Sequence, residues 1–464
     1  MTTTTQPVAA SAGPHDAGPP ASRAAGLEML GEFQGSGAQQ APCLVRRADG
    51  QVLQLSPLVY AVLEAVDGRR GARSVAEAVQ RSTGHELDDD GVAFLLERKL
   101  APLGLLEVEG AAPPPRANPL LALQARTPLL RPGATAVVAT AFQPLFRPPV
   151  VLAAVVALSL LDAWLFALHG LEQAVRAVAT DPALTLAVLV TTLLASTFHE
   201  FGHAAACRYS GGRPGAIGVG VYLIFPSFYT DVTDSYRLGR VGRLRTDLGG
   251  LYFHALSVLV LGGAYAATGA EWLLLAVVLI QLEMLQQLLP LVRFDGYHVL
   301  ADLVGVPDLF ARIGPVLRHA LHRRGPRDPR VVGLKPWVRV TVTAWVAVVV
   351  PFLAVSLSLL VWHLPRTAST LGASCVELVS SSARALGEGQ HYRAASEGLN
   401  ALLLALTLAG VLYIVLVVAR QLGRLALRWS APSPVRRAGV VAVAAVLLVG
   451  LVTGWVVTGQ FTSW

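Results

Sequence analysis

Residues 183–203 read ALTLAVLVTTLLASTFHEFGH: an apolar run that closes directly on His199-Glu200-Phe201-Gly202-His203. The run, Ala183 to Phe198, has the composition of a membrane helix. Two histidines four residues apart share one face of a helix. There they can ligate a single zinc, and the glutamate between them can act on water. Ionisable groups at membrane depth are costly and are usually kept for function. The stretch therefore points to a metal hydrolase set at or inside a bilayer.

Composition extends that reading to the whole chain. Of 464 residues, 53% are hydrophobic and only 14% charged, and mean hydropathy is +0.54. These values exclude an ordinary soluble protein and indicate a mainly α, polytopic helical membrane protein. The net charge of +7 then marks cytoplasmic loops rather than nucleic-acid binding. The three cysteines, Cys43, Cys207 and Cys375, have no paired spacing, so neither a disulfide framework nor a cysteine zinc site is indicated. Residues 1–26 are rich in Thr, Ala, Gly and Pro, lack the pattern of a signal peptide, and read as a disordered tail.

Residues 27–110 read as a small winged-helix-like α+β module. Cys43–Arg47 and Val52–Leu55 flank Ala48-Asp49-Gly50, a hairpin signal. Ser56-Pro57 opens a helix, Ser74 with Glu77 reads as a capping box opening a second, and the Asp88–Asp90 cluster opens a third. Leu105–Val108 closes as a strand. A Pro-rich linker, 111–149, follows, stiffest at Pro113-Pro114-Pro115.

Seven apolar segments then approach the ~20 residues of a membrane span: roughly Val150–Leu168, Ala183–Ala206, Leu248–Ala267, Trp272–Val292, Val338–Trp362, Ala401–Ala419 and Gly439–Thr458. The core is expected at 150–310, a basic cytoplasmic loop at 311–337, and C-terminal spans at 338–464 around an external loop, 363–400. Arginines cluster after the second, fourth and sixth segments (Arg208 to Arg245, Arg293 to Arg330, Arg420 to Arg437). The positive-inside rule puts those loops and the N-terminal module in the cytoplasm and the C-terminus outside a cell membrane. His199 and His203 then lie near a cytoplasmic end.

A catalytic zinc takes three protein ligands and keeps one position open. Asp295, in Pro290-Leu291-Val292-Arg293-Phe294-Asp295-Gly296-Tyr297, arrives at a similar depth two spans later. From spacing alone it is equally a ligand or an aspartate capping the Asp-Gly turn. His298 is a competing ligand. His254 and Glu283 are either partners of a ligand histidine or polar groups satisfied between packed helices, and Asp162 is similar.

A helix bearing His-Glu-x-x-His, followed by Pro-x-x-x-x-Asp-Gly, resembles the site-2 protease family of membrane zinc metallopeptidases over roughly residues 145–310. The resemblance implies one Zn2+ per chain held by His199, His203 and Asp295, with Glu200 as general base. It also implies an extended edge near Gly218–Phe225 that pairs with substrate by strand addition. Phe225–Asp234 and Arg293-Phe294-Asp295-Gly296-Tyr297 are similar to the branch of peptide zinc metalloproteases. The module at 27–110 resembles the PqqD-like domain that captures leader peptides of ribosomally made, modified peptides. The family commonly has Asn immediately before the proline; here Leu289 stands there, with Gln286 and Gln287 within one helical turn as candidates for positioning substrate.

The expected activity is that of a zinc endopeptidase cleaving a peptide or membrane-associated protein near the cytoplasmic face. The rival is a peptide-binding export or immunity scaffold. A DNA-binding regulator is disfavoured by the acidic residues spread through the module.

Overall fold

The computed structural model describes residues 21–107, 124–222, 225–321, 328–431 and 433–458. Most of the expected tail, the triple proline and part of the basic loop fall outside the described residues. In chain order the elements begin with β1 (Ser22–Arg23), β2 (Glu28–Glu32), β3 (Cys43–Arg46), β4 (Val52–Leu55), α1 (Pro57–Ala65), α2 (Ala72–Thr83), α3 (Asp89–Leu95) and β5 (Leu106–Glu107). Next come β6 (Gln124–Leu130), α4 (Pro132–Phe142), α5 (Pro148–Trp164), α6 (Glu172–Thr180), α7 (Pro182–Tyr209), β7 (Ile217–Tyr222), β8 (Phe225–Thr230), α8 (Arg240–Asp247), α9 (Gly249–Thr268) and α10 (Trp272–Leu288). The chain ends with α11 (Asp295–Val304), α12 (Phe310–Leu321), α13 (Pro329–Val332), α14 (Pro336–Gly387), α15 (His391–Ser430) and α16 (Pro434–Val457). The protein is mainly α with a small strand-containing N-terminal region. The chain forms two compact units: Met1–Asn118 with Val304–Val306 and Pro329–Val338, and the remainder.

In the first unit β3 and β4 form an antiparallel hairpin with Cys43 opposite Leu55. Gly50 makes its turn at a φ of +83°, a region closed to most side chains. Ser56 caps α1, its Oγ accepting from Val59 N at 3.4 Å, and Asp88 caps α3 from Gly91 N at 2.8 Å. The Ser74–Glu77 capping box does not form. α2 starts earlier, on Gly71, without a side-chain cap, because Val75, Ala76 and Val79 must all be helical to enter the core. That core joins Val45, Leu55, Val62, Leu63, Val79, Val92, Leu100 and Leu105. β5 pairs with β1 rather than extending the hairpin sheet. Distant chain completes the unit: Gly37 N donates to Gly305 O at 2.8 Å, Gln39 N to Gly333 O at 2.7 Å and Lys335 N to Gly37 O at 2.9 Å.

In the second unit six helices among the described residues are long and apolar enough to cross a bilayer: Pro148–His169, α7, α9, α14, α15 and α16. This is the build of a multi-pass membrane protein. The fourth expected span, Trp272–Val292, is instead a 17-residue apolar helix, α10. At 1.5 Å per residue it covers about 25 Å, short of a ~30 Å hydrocarbon layer. It stops at Leu288 because Pro290 forces the residue before it out of the helical region; Leu289 is extended.

Three other expectations change. Residues 124–142, read as linker, form β6 and α4, because β6 finds a partner in β7 in the antiparallel sheet β6-β7-β8. Residues 311–321 of the basic loop belong to α12 and are helical. The loop expected at 363–400 is a helical hairpin. α14 runs unbroken for 52 residues, about 78 Å, and turns only at Gly387-Glu388-Gly389. Ser382 Oγ donates to Ala394 O across the hairpin at 2.7 Å. Polarity there removed the span signal, yet the helix continues through Pro365, which lies inside it.

Candidate metal centre

α7 changes character along its length. Val190, Leu193 and Leu194 are exposed, whereas His199, Glu200, and Gly202 to Cys207 are buried. The buried half packs on an aromatic cluster: Phe198 lies 4.6 Å from Phe253 and 5.5 Å from Phe142 between ring centroids.

One helical turn separates His199 and His203, and their Nε2 atoms come to 3.0 Å. His203 Nδ1 lies 2.8 Å from the Thr246 carbonyl oxygen. A carbonyl only accepts, so Nδ1 carries the proton and Nε2 keeps its lone pair for a metal. Asp295 brings Oδ2 to 3.2 Å from His199 Nε2 and 3.4 Å from His203 Nε2. That buried oxygen makes no directional hydrogen bond.

The three side chains form a group able to hold a metal ion. Tetrahedral zinc with ligands at 2.0–2.1 Å has ligand–ligand edges of about 3.3 Å, and the three donor atoms here are 3.0, 3.2 and 3.4 Å apart. Two imidazole nitrogens, one carboxylate oxygen and an otherwise unsatisfied buried acceptor are the donor set zinc takes while keeping a position open. Burial opposes charge on Asp295, but His203 and then His199 hold its carboxyl below the usual carboxylate range, the deprotonated state a ligand needs. Gly250 of α9 faces the same three atoms' space: a Cβ there would press on Nε2 of both histidines.

Glu200 is 8% exposed. Thr230, the last residue of β8, donates from Oγ1 to Glu200 Oε2 at 2.7 Å and lies 2.9 Å from the Glu200 carbonyl. The outer edge of β8 has no strand partner among the described residues.

Asp295 stands at the start of α11, and local sequence holds it there. Gly296 sits so tightly on the end of α10 that a Cβ would collide with the Leu288 backbone. Trp345 Nε1 donates to Pro290 O at 2.7 Å. Farther along α11, Asp302 accepts from Arg243 Nε of α8 at 2.7 Å. Arg243 is fully buried and also donates to Leu238 O at 2.8 Å. Asp247, on α8 beside this pair, has its carboxyl pushed well above the usual range by burial and then by Asp302. The same α8 presents the Thr246 carbonyl to His203.

The remaining candidates disperse. His254 is fully buried, with its Nδ1 3.3 Å from His199 Nδ1. Gln287 Nε2 donates to Glu283 Oε1 at 3.2 Å. Gln286 and Leu289 are exposed. His298 is exposed and meets the Tyr297 ring edge-on at 5.3 Å, and it is not among the three grouped donors. Asp162 accepts from Gln281 Nε2 at 2.5 Å. Thr230, Thr246, Gly250 and the Arg243–Asp302 pair were not singled out from sequence. Thr230 lies in a stretch already notable for its likeness to peptide zinc metalloproteases; the other residues carried no local signal.

No family model matches the chain, and no solved structure matches it. Over 123 residues it is 24% identical to the "Putative peptide zinc metalloprotease protein YydH" of Bacillus subtilis (strain 168), a stretch that covers 26% of this chain and 49% of that protein. The chain thus spans about half the length of the curated relative it matches. It is similar to a protein named as a zinc metalloprotease, and among its described residues it gathers a His-His-Asp group that can hold the metal.

Proposed function

We propose that the chain is a membrane-embedded zinc endopeptidase of the site-2 protease type, with His199, His203 and Asp295 as ligands and Glu200 as general base. The convergence of three donor atoms from α7 and α11, 3.0–3.4 Å apart, carries the reading. Zinc held there supplies Lewis acidity that polarises the scissile carbonyl and makes water nucleophilic at neutral pH. Glu200 takes the proton from the attacking water and passes it to the leaving amine nitrogen. Thr230 engages Oε2, which leaves Oε1 to accept that proton. The open edge of β8 ends beside Glu200, so a substrate strand added there runs its backbone past the base.

The N-terminal unit, in this reading, is a PqqD-like module that captures a leader peptide, and the pathway is maturation or export of a ribosomally made, modified peptide. The name of the Bacillus relative supports a peptide substrate. The arginine-rich segment that follows α7, Arg208 to Arg245, supports a cytoplasmic N-terminal unit and site.

Purified full-length protein in lipid nanodiscs, incubated with an extended peptide mixture and followed by mass spectrometry, tests this. The parent should bind one zinc per chain and cleave. Glu200→Gln should keep the zinc and lose about 10²–10⁴-fold in rate. Unchanged cleavage by Glu200→Gln would sink the mechanism. Leu289, half-exposed where the family has an amide, favours a second reading, a peptide-binding export or immunity scaffold. A parent without stoichiometric zinc would favour it.

A further inference from the structure

Behind His199, on the side away from the donor triangle, a second set of polar side chains lies between α7, α9 and α10: His254 is fully buried and Glu283, Ser196 and Gln287 are partly buried. His254 Nδ1 is 3.3 Å from His199 Nδ1, and the rings lie 4.4 Å apart between centroids. His254 Nε2 is buried without a hydrogen-bond partner and has Glu283 Oε2 at 4.0 Å. Ser196 Oγ is 3.1 and 3.3 Å from the two Glu283 oxygens, and Gln287 Nε2 donates to Oε1.

Two facing Nδ1 atoms share one proton, so one ring must donate and the other accept. If His254 donated, His199 would carry its proton on Nε2 and could not hold a metal. If His199 donates, its Nε2 lone pair is free. Glu283 decides between these. A carboxylate beside His254 Nε2, itself held by donors from Ser196 and Gln287, draws the His254 proton to that nitrogen. His254 Nδ1 is then an acceptor, and His199 must donate to it.

From this geometry we propose that His254 and Glu283 are positioning residues. They fix His199 in the one tautomer and ring orientation that can ligate zinc. Metal-ligating histidines commonly donate their other N–H to a carboxylate or carbonyl. His203 does so directly, to Thr246 O. His199 reaches its carboxylate through an interposed imidazole. That arrangement suits the membrane, because the charge of Glu283 stays on the α10 side and a neutral ring separates it from the metal. The proposal rests on the zinc reading above.

The test measures zinc affinity by chelator competition in the Glu200→Gln background, where no self-cleavage intervenes, and records the visible spectrum of the Co2+-loaded protein. His254→Phe keeps ring volume and removes the acceptor; it should weaken zinc about 10–100-fold and alter the Co2+ spectrum. His254→Asn puts an amide oxygen where Nδ1 stood and should recover most of the loss, which a packing role for the ring would not allow. Glu283→Leu should weaken zinc less than His254→Phe, with Glu283→Gln between it and the parent. If the parent binds zinc and cleaves but His254→Phe matches it in affinity and spectrum, the relay falls and the protease reading stands. His254→Asn as weak as His254→Phe would also overturn it. A parent that binds no zinc overturns both.

Discussion

The two arms of the donor triangle are built in opposite ways. The histidine arm is local: four residues of one helix set His199 and His203 on a shared face, and each ring's far nitrogen meets a fixed neighbour, Thr246 O or His254. The aspartate arm is assembled from afar. Asp295 reaches the histidines only because α10 ends short of a full crossing, the chain doubles back over Leu288, and Arg243 ties α11 to α8. A helix can dictate the spacing of two ligands on its own, but the third depends on packing. Damage to the helix-side approach should therefore remove the metal outright, and damage to the turn should weaken it by degrees.

The largest effect is expected at Gly250. A methyl group there would press on both Nε2 atoms, the atoms that must face the metal. Gly250→Ala should lose more than about 100-fold in zinc affinity, exceeding the range for losing a supporting partner, while the fold survives. Metal content by mass spectrometry, with circular dichroism for helicity, checks this. Zinc retained in full would mean that the rings sit elsewhere.

Next is Arg243. Removing one member of a buried ion pair leaves the other charge uncompensated and costs about 3–5 kcal/mol. Arg243→Met should lower the midpoint of thermal unfolding in detergent, and zinc binding should fall with it. Asp302→Asn keeps an acceptor and should cost less. Equal damage from the two would show that the charge, not the tether between α8 and α11, is what counts.

What could be read in the sequence follows the same division. The His-Glu-x-x-His face was legible because it lies within one helical turn and ends an apolar run. From spacing alone, Asp295 stood level with a plain Asp-Gly turn; the structure places it at the start of α11, with Oδ2 3.2 Å from His199 Nε2. Arg243 read as one more basic loop residue because charge counting cannot distinguish an exposed arginine from one with no exposure. The span pattern was legible from hydropathy except in two places: α10 stops early, ahead of Pro290, and 363–387 stays helical without being apolar. Linker residues 124–130 became a strand only through β7, a pairing that no local pattern announces.

Gly296 isolates the distant arm. A methyl group there would strike the Leu288 backbone and push α11 off the end of α10, while α7 and its neighbours stay as they are. Gly296→Ala should reduce zinc affinity about 10–100-fold, as for a ligand left in place with its support disturbed. Isothermal titration against Gly250→Ala makes the contrast quantitative. If Gly296→Ala strips the metal as fully as Gly250→Ala, the aspartate arm is no weaker than the histidine arm, and the contrast between local and assembled ligands is lost.

The smallest effect should come from Thr230, which touches neither arm. Its hydroxyl donates to Glu200 Oε2 at 2.7 Å. Thr230→Val keeps the shape of the side chain and deletes the donor, so zinc affinity should match the parent. A hydrogen bond to a charged group is worth about 1.5–3 kcal/mol, of which part is recovered when Glu200 finds water. The turnover rate should therefore drop about tenfold, with the metal fully bound. A rate loss accompanied by metal loss would place Thr230 among the supports of the triangle; a pure rate loss assigns it to the base. The difference separates the part of the site that holds the metal from the part that moves the proton.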